Sequence, residues 1–345
     1  MGRYITRRLV QAIPMLFLIS IILFTLVNIA PGGPMAALSR RRPKPGQVEM
    51  RKRQFGLDKP LPVQYIVWLI GNDWIKLDLD GDGIAESYGE RRGILRGDFG
   101  FSYRTREPVL EEIMARLPNT IYLMVITLAF VALVAIPIGI ISAVKQYSVF
   151  DIGVTTFSFI GQAIPEFWLG LILILVFYSW LKNPFTGDPL LPAGGMATLD
   201  SAFSIGDRLK HLILPVGMGM ISWVAWYSRF LRSSMLDVLH MDYIRTARAK
   251  GLRERTVLYR HALKNALIPL VTMAAMDFTT IFGGSLYVEL IFSWPGMGRL
   301  YYQAALQRDY PVLMAILIIG AGAMIFSNMV GDITYSFLDP RIRYE

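Results

Sequence analysis

The nine residues Asp78-Leu79-Asp80-Gly81-Asp82-Gly83-Ile84-Ala85-Glu86 place carboxylates at the first, third and fifth positions of a loop, glycine at the sixth and an acid at the ninth. This is the opening of an oxygen cage for Ca2+. Asp78, Asp80 and Asp82 would supply side-chain oxygens, Gly83 the sharp turn, Ile84 a backbone carbonyl and Glu86 the ninth-position ligand. The twelfth position, where a bidentate Glu should close the cage, is Gly89, and Glu90 follows one residue late. Two readings stand: a structural calcium site that pins a loop, or a solvated turn rich in Asp and Gly.

A second chemically active stretch is basic. Asp242-Tyr243-Ile244-Arg245-Thr246-Ala247-Arg248-Ala249-Lys250-Gly251-Leu252 is followed by Arg253 to Lys264. Asp242 opens a short helix, Arg248 and Lys250 occupy its last turn where the helix dipole favours cations, and Gly251 supplies a left-handed cap. A second helix follows, with Val257, Leu258, Ala262 and Leu263 on an imperfect apolar face and Arg253, Arg255, Arg260 and Lys264 around it. Helix, glycine corner and helix make a rigid bracket. On composition alone, such a bracket is either a lipid-facing element with snorkelling cations or a docking surface.

Other chemistry is excluded by composition. With no cysteine among 345 residues, there is no disulfide framework, zinc-thiolate or iron-sulfur site, or thiol nucleophile. His211, His240 and His261 are too far apart for a local metal motif. No G-x-x-x-x-G-K-[ST] occurs, so the chain has no phosphate-binding loop of its own. No intramembrane Ser/His, Ser/Lys, paired-Asp or metal constellation stands out for a membrane-embedded hydrolase.

The elements that must position these residues are membrane spans. Hydrophobic residues make up 54% of the chain and charged ones only 18%, against about 25% charged in soluble domains. Windows of about 19 residues give six candidate crossings at 9–30, 119–144, 153–181, 212–235, 266–290 and 312–337. In the third, Pro165 and Glu166 follow an amphipathic lead-in, so the crossing is expected to begin near Trp168 with 149–163 at the interface. A cleaved leader at the N-terminus is disfavoured, because the apolar run to Ala30 is too long and lacks a small-x-small site.

With the N-terminus inside, segments 1–8, 145–151, 229–265 and 339–345 are cytoplasmic and carry 15 Lys/Arg against 6 Asp/Glu. The difference equals the whole net charge of +9. Topology therefore accounts for the basic balance without nucleic acid, and both termini are predicted cytoplasmic. The expected organisation is an N-terminal helix (1–30), an extracytoplasmic segment (31–118), a transmembrane core (119–337) enclosing the loop 240–265, and a cytoplasmic tail (338–345).

The order of residues in that loop resembles the conserved cytoplasmic EAA loop of ABC importer permeases, in the form of the dipeptide/oligopeptide and nickel class. Besides Asp242 to Leu252, the likeness is carried by Arg260-His261-Ala262-Leu263-Lys264-Asn265-Ala266-Leu267-Ile268-Pro269. It extends to Leu117-Pro118-Asn119-Thr120, Ile164-Pro165-Glu166-Phe167-Trp168-Leu169-Gly170, Glu289-Leu290-Ile291-Phe292-Ser293-Trp294-Pro295-Gly296-Met297-Gly298 and Arg308-Asp309-Tyr310-Pro311. Arg245-Thr246-Ala247 stands where the wider superfamily has Glu-Ala-Ala, and Lys264 where it has Pro. The Asp/Gly stretch at 78–90 is unlike most members.

The resemblance implies an all-α polytopic protein with the type I ABC importer permease fold, six transmembrane helices and an extracytoplasmic insertion between the first two. It implies a homologous second permease subunit, two ABC ATPase subunits that hold ATP and Mg2+, and an extracytoplasmic substrate-binding protein. The ATPase-coupling residues would be Asp242, Tyr243, Arg245, Thr246, Ala247, Arg248, Ala249, Lys250, Gly251, Leu252, His261 and Asn265. Peptides are the implied cargo, with nickel chelates, glutathione or oligosaccharides as alternatives within the class. The rival class, an ion-coupled carrier, would need buried acids on several spans or matching halves; only Asp277 is deeply placed. Asp277 is read either as a pathway contact for a cationic ligand or as a structural hydrogen bond across a subunit interface. Glu289 and Asp332 are expected to be architectural. Gly283-Gly284 and Gly320-Ala321-Gly322 are expected at close helix contacts, and Trp168, Trp180 and Trp294 in interfacial belts.

Overall fold

The computed structural model describes residues 2–29, 47–79, 83–198, 203–277 and 280–338. In chain order it contains α1 (Gly2–Ile29), α2 (Gln47–Gln54) and α3 (Leu61–Ile70), then an antiparallel pair β1 (Lys76–Leu77) and β2 (Ser87–Tyr88). After these come α4 (Val109–Val144), α5 (Val149–Ala163), α6 (Glu166–Ile174) with a π-helical extension over Leu175–Trp180, α7 (Ile205–Leu239) and α8 (Asp242–Ala249). A turn at Glu254–Thr256 and a π-helical turn at Val257–Ala262 lead into α9 (Leu263–Asp277). The chain continues as α10 (Thr280–Gly283), α11 (Leu286–Ile291), α12 (Met297–Gln307) and α13 (Tyr310–Leu338).

Among the described residues, four helices are long and apolar enough to cross a bilayer: Ile5–Ile29, Val109–Val144, Ile205–Leu239 and Tyr310–Ile333. The pair α5 and α6 is apolar enough only when taken together and is bent by 99° between them, as in a broken span or a re-entrant loop. The residue before a proline is pushed out of the helical region, and Ile164, just before Pro165, adopts an extended ψ of 124°. The break falls where the third crossing is expected to begin, just before Trp168, and 149–163 forms the separate helix α5. The window 266–290 is divided, because Gly284 takes a left-handed φ of 73° and Ser285 starts α11 by accepting a hydrogen bond from Val288 N. Hydropathy senses side-chain transfer and is blind to such breaks.

The chain forms two units. One comprises Gly2–Leu117 and Leu300–Ile325. Phe24 of α1, Trp68 of α3 and Met314 of α13 form its apolar centre, and the Tyr65 hydroxyl lies 2.7 Å from Ser20 Oγ. Buried Asp309 accepts hydrogen bonds from Ser102 Oγ (2.5 Å) and the backbone N–H of Tyr103 (3.0 Å), while burial pushes the Tyr103 phenol up to about 12. Asn72 and Arg91 exchange backbone and side-chain bonds, and Gly89 sits so close that an added Cβ would lie 2.3 Å from Asn72.

The other unit comprises Pro118–Arg299 and Phe326–Glu345. One of its cores joins Val131 and Ala135 of α4, Leu231 and Met235 of α7, Ile244 of α8, Val257, and Ala266 of α9. A second core joins Leu123, Leu169, Met218, Val288, Phe292 and Trp294. Trp294 is therefore buried, with its indole N–H donating to Asn119 O at 3.0 Å, and is not a belt residue; Trp168 and Trp180 are exposed. Nor are the paired glycines at close contacts throughout. Gly283, Gly320 and Gly322 have open space where a Cβ would stand, and only Gly284 is closely approached.

Candidate functional site

The bracket predicted from sequence is formed, and its two arms are packed as one body. An eight-residue helix is too short to persist alone, so α8 depends on the face it buries. Ile244 and Ala247 are that face, packed against Val257, Ala262 and Ala266 of the following arm and against Leu231 and Met235 of α7. Burying the Ile244 side chain contributes about 1.5–3 kcal/mol. Asp242 lies in the first turn and Arg248 in the last, in agreement with the helix dipole, and Lys250 is the C-cap.

At the corner, Gly251 has φ 73°, donates its N–H to Arg248 O at 2.9 Å, and leaves Leu252 N to reach back to Ala247 O. Nothing lies within 4 Å of the place where its Cβ would be. Glycine is required there by backbone conformation, not by space. Arg248 bridges the corner, with Nη2 2.7 Å and Nε 3.2 Å from the two Glu254 carboxylate oxygens. On the second arm, Asn265 Nδ2 donates to the Tyr243 hydroxyl and to His261 O, both at 2.9 Å. The structure thus brings Tyr243, His261 and Asn265 together and turns Asp242, Arg245, Thr246, Ala249, Lys250 and Leu252 outward; Ala247 is buried.

Arg248 holds the Glu254 carboxyl below its ordinary value. A depressed carboxylate contributes stability above the ordinary range and loses it as pH falls through the lowered value. Both partners are about half exposed, so the brace is worth about 0.2–1 kcal/mol. Glu254→Gln at neutral pH should therefore speed amide exchange across 248–256 by up to about fivefold, as acidification of the wild type does. Unchanged exchange in the variant would show that the corner does not use this pair.

Asp277 has a partner within its own chain: it accepts a 2.6 Å hydrogen bond from the Tyr227 hydroxyl, and Tyr227 stacks on Trp223 at 6.2 Å. For the acidic turn, β1 and β2 pair Leu77 with Ser87 and so bring the ends of the loop together. Asp78 accepts from Gly83 N at 3.0 Å and faces Arg53 at 3.7 Å, while Ile84 and Glu86 are exposed. Asp80 and Asp82, the central ligands of the expected calcium cage, lie outside the described residues.

Two buried acids carry more of the architecture than sequence reasoning assigned them. Glu289, with no exposed surface, accepts from Thr120 Oγ1 at 2.9 Å and from Arg299 N at 3.0 Å; Thr120 Oγ1 in turn accepts from Met297 N at 2.7 Å. A Cβ at Gly284 or Gly296 would meet the carboxyl at 2.3 and 2.5 Å. Asn119-Thr120 and Glu289 to Gly298 are two sides of one knot. Asp151 is the second, paired with Arg232 through bonds of 2.6 and 2.7 Å.

Residues 135–344 match the model of the family described as binding-protein-dependent transport system inner membrane component, and residues 1–124 match its N-terminal companion. The chain is 42% identical to the oligopeptide transport system permease protein AppB of Bacillus subtilis, with 100% of each chain covered. It is 35% identical to dipeptide transport system permease proteins DppB of Alkalihalophilus pseudofirmus, over 99% of each chain, and of Escherichia coli K12, over 100% of each. Among solved structures, the MetNI methionine ABC transporter in an inward-facing conformation superposes with a TM-score of 0.52 at 16% identity, covering 68% of this chain and 99% of that one. That likeness speaks for the type I importer fold. On these grounds the chain belongs to the inner-membrane permease components of binding-protein-dependent ABC importers.

Proposed function

We propose that this chain lines one half of the translocation pathway of an ATP-driven peptide importer. Full-length likeness to permeases named for oligopeptide and dipeptide transport carries the choice of cargo. A homologous permease forms the other half, an extracytoplasmic binding protein delivers the peptide, and two ATPase subunits bind and hydrolyse ATP below the bracket. Both termini face the cytoplasm on this reading, because the excess of basic residues falls on that side.

The bracket is the handle. Its outward face carries Arg245, Lys250, Arg253 and Arg255, and its inner face is continuous with the core that holds α7 and α9. Closure of the ATPase pair on ATP would move it as a body, shifting the balance between inward- and outward-facing states.

In proteoliposomes holding the complete importer and its binding protein, uptake of a labelled tripeptide should require ATP. Unlabelled di- and tripeptides should compete, and nickel chelates, glutathione and oligosaccharides should not. Gly251→Val forces a β-branched residue into the left-handed region at a cost of at least about 1–2 kcal/mol, and should lower uptake at least tenfold while the chain still inserts. Transport that survives ATP depletion but not an uncoupler would overturn the importer reading. Normal uptake by Gly251→Val would overturn the rigid handle.

A further inference from the structure

Within the unit formed by Pro118–Arg299 and Phe326–Glu345, a cleft of about 180 Å3 opens between α4, α6, α7 and the start of α11. Its walls are mainly apolar, with Met124, Met218 and Val288 among them; Thr127, Ser285 and the Trp223 indole add polar edges. Glu166, in the first turn of α6 at the 99° bend, is the single charged residue in the lining. It makes no hydrogen bond or ion pair with any of the described residues, and it is exposed.

A carboxylate at the edge of an apolar cleft attracts a countercharge. Asp151, by contrast, is matched locally by Arg232. Glu166 is left for something that arrives. One carboxylate with two hydroxyls falls far short of the six to eight oxygens that Ca2+ takes, and a neighbouring indole favours an organic cation. The size sets a further limit, since a cavity of about 150 Å3 accommodates a molecule such as benzene. The cleft suits one terminal residue, not a whole peptide.

We propose that Glu166 and this cleft bind a primary ammonium group, the free amino end of the transported peptide, during its passage. The proposal rests on the peptide-import reading given above. Thr127, Ser285 and Trp223 line the same cleft, and the bend at Ile164–Pro165 puts Glu166, at the start of α6, in its wall.

The absence of cysteine from the chain supplies the test. The complete importer carrying Ser285→Cys is reconstituted in phosphatidylglycerol vesicles, which contain no lipid primary amine, and the rate of maleimide labelling is followed. A free-amino tripeptide should slow labelling about tenfold, its N-acetyl form should not, and adding Glu166→Gln should remove the difference while Glu166→Asp retains part of it. Adding phosphatidylethanolamine should slow labelling without peptide if lipid amines are the true occupants, which would overturn the assignment to peptide. Equal protection by both peptides, protection unaffected by Glu166→Gln, or a Ser285→Cys thiol that never reacts would each overturn the site. Tripeptide uptake by the wild-type importer is measured in parallel: a complete lack of it overturns the import reading and the site with it, whereas normal uptake beside any of the former results overturns the site alone.

Discussion

Glu289→Ala should destabilise the folded chain by about 3–5 kcal/mol, the largest loss expected from any single side chain described above. Removing the carboxyl leaves the buried Thr120 hydroxyl and the part-buried Arg299 N–H without their acceptor, which costs about 1–3 kcal/mol. The emptied space adds about 2 kcal/mol or more, because three glycines, Gly284, Gly296 and Gly298, already approach the carboxyl as closely as backbone can and their surroundings have little freedom to collapse. Thr120→Val removes one donor to the acid and leaves Met297 N–H without its acceptor, but it empties little space and should cost less, about 1–3 kcal/mol. Thermal unfolding in detergent, followed by the fraction remaining monodisperse, measures both. Equal stability of Glu289→Ala and wild type would mean that the knot between 119–120 and 289–299 does not hold the fold.

Asp151→Ala should cost about 3 kcal/mol. Its carboxylate, 2% exposed, is held by both Nε and Nη2 of Arg232, by the Ser142 hydroxyl and by Tyr147 N at 2.9 Å. Tyr147 has a left-handed φ of 60°, a conformation that a non-glycine residue keeps only when its surroundings enforce it. One acid therefore ties the end of α4, the turn and α7 to each other. Breaking a buried pair from one side costs about 3–5 kcal/mol, and the lower figure applies because Arg232 remains 24% exposed. In a double-mutant cycle, Arg232→Met combined with Asp151→Ala should be less damaging than the sum of the two by about 1–3 kcal/mol. Strict additivity would show that the two residues act independently.

These two acids also mark where sequence reading stops. The bracket was legible because its parts are neighbours in the chain: an acid at the helix start, basic residues at its end and a glycine at the corner state their roles within 11 residues. The bend at Ile164 was legible for the same reason, since proline acts on the residue before it. Glu289 was expected to be architectural, but its partner was not legible, because the hydroxyl that binds it lies 169 positions away, and Arg232 is 81 positions from Asp151. Arg232 was counted as part of a basic surface, and nothing local distinguishes it from Arg229 or Arg245. Trp294 failed similarly: an indole near a span end satisfies a belt pattern, and only the fold reveals the Asn119 carbonyl that receives its N–H. The broken window at 266–290 has a different cause, for Gly284 is one small residue among many, and neither its positive φ nor its closeness to Glu289 is written in its neighbours in the chain.

The π-helical turn at Val257–Ala262 has a geometric consequence for α9. A π turn accommodates one residue more than an α turn, and each residue of an α-helix advances the azimuth by about 100°. A helical wheel drawn continuously from Glu254 therefore assigns Asp277 to the wrong sector by about that angle. The phase that aims Asp277 at Tyr227 is set by the surplus residue, and an in-frame deletion of one residue within 257–262 would redirect every side chain of α9 while leaving its composition and hydropathy almost untouched.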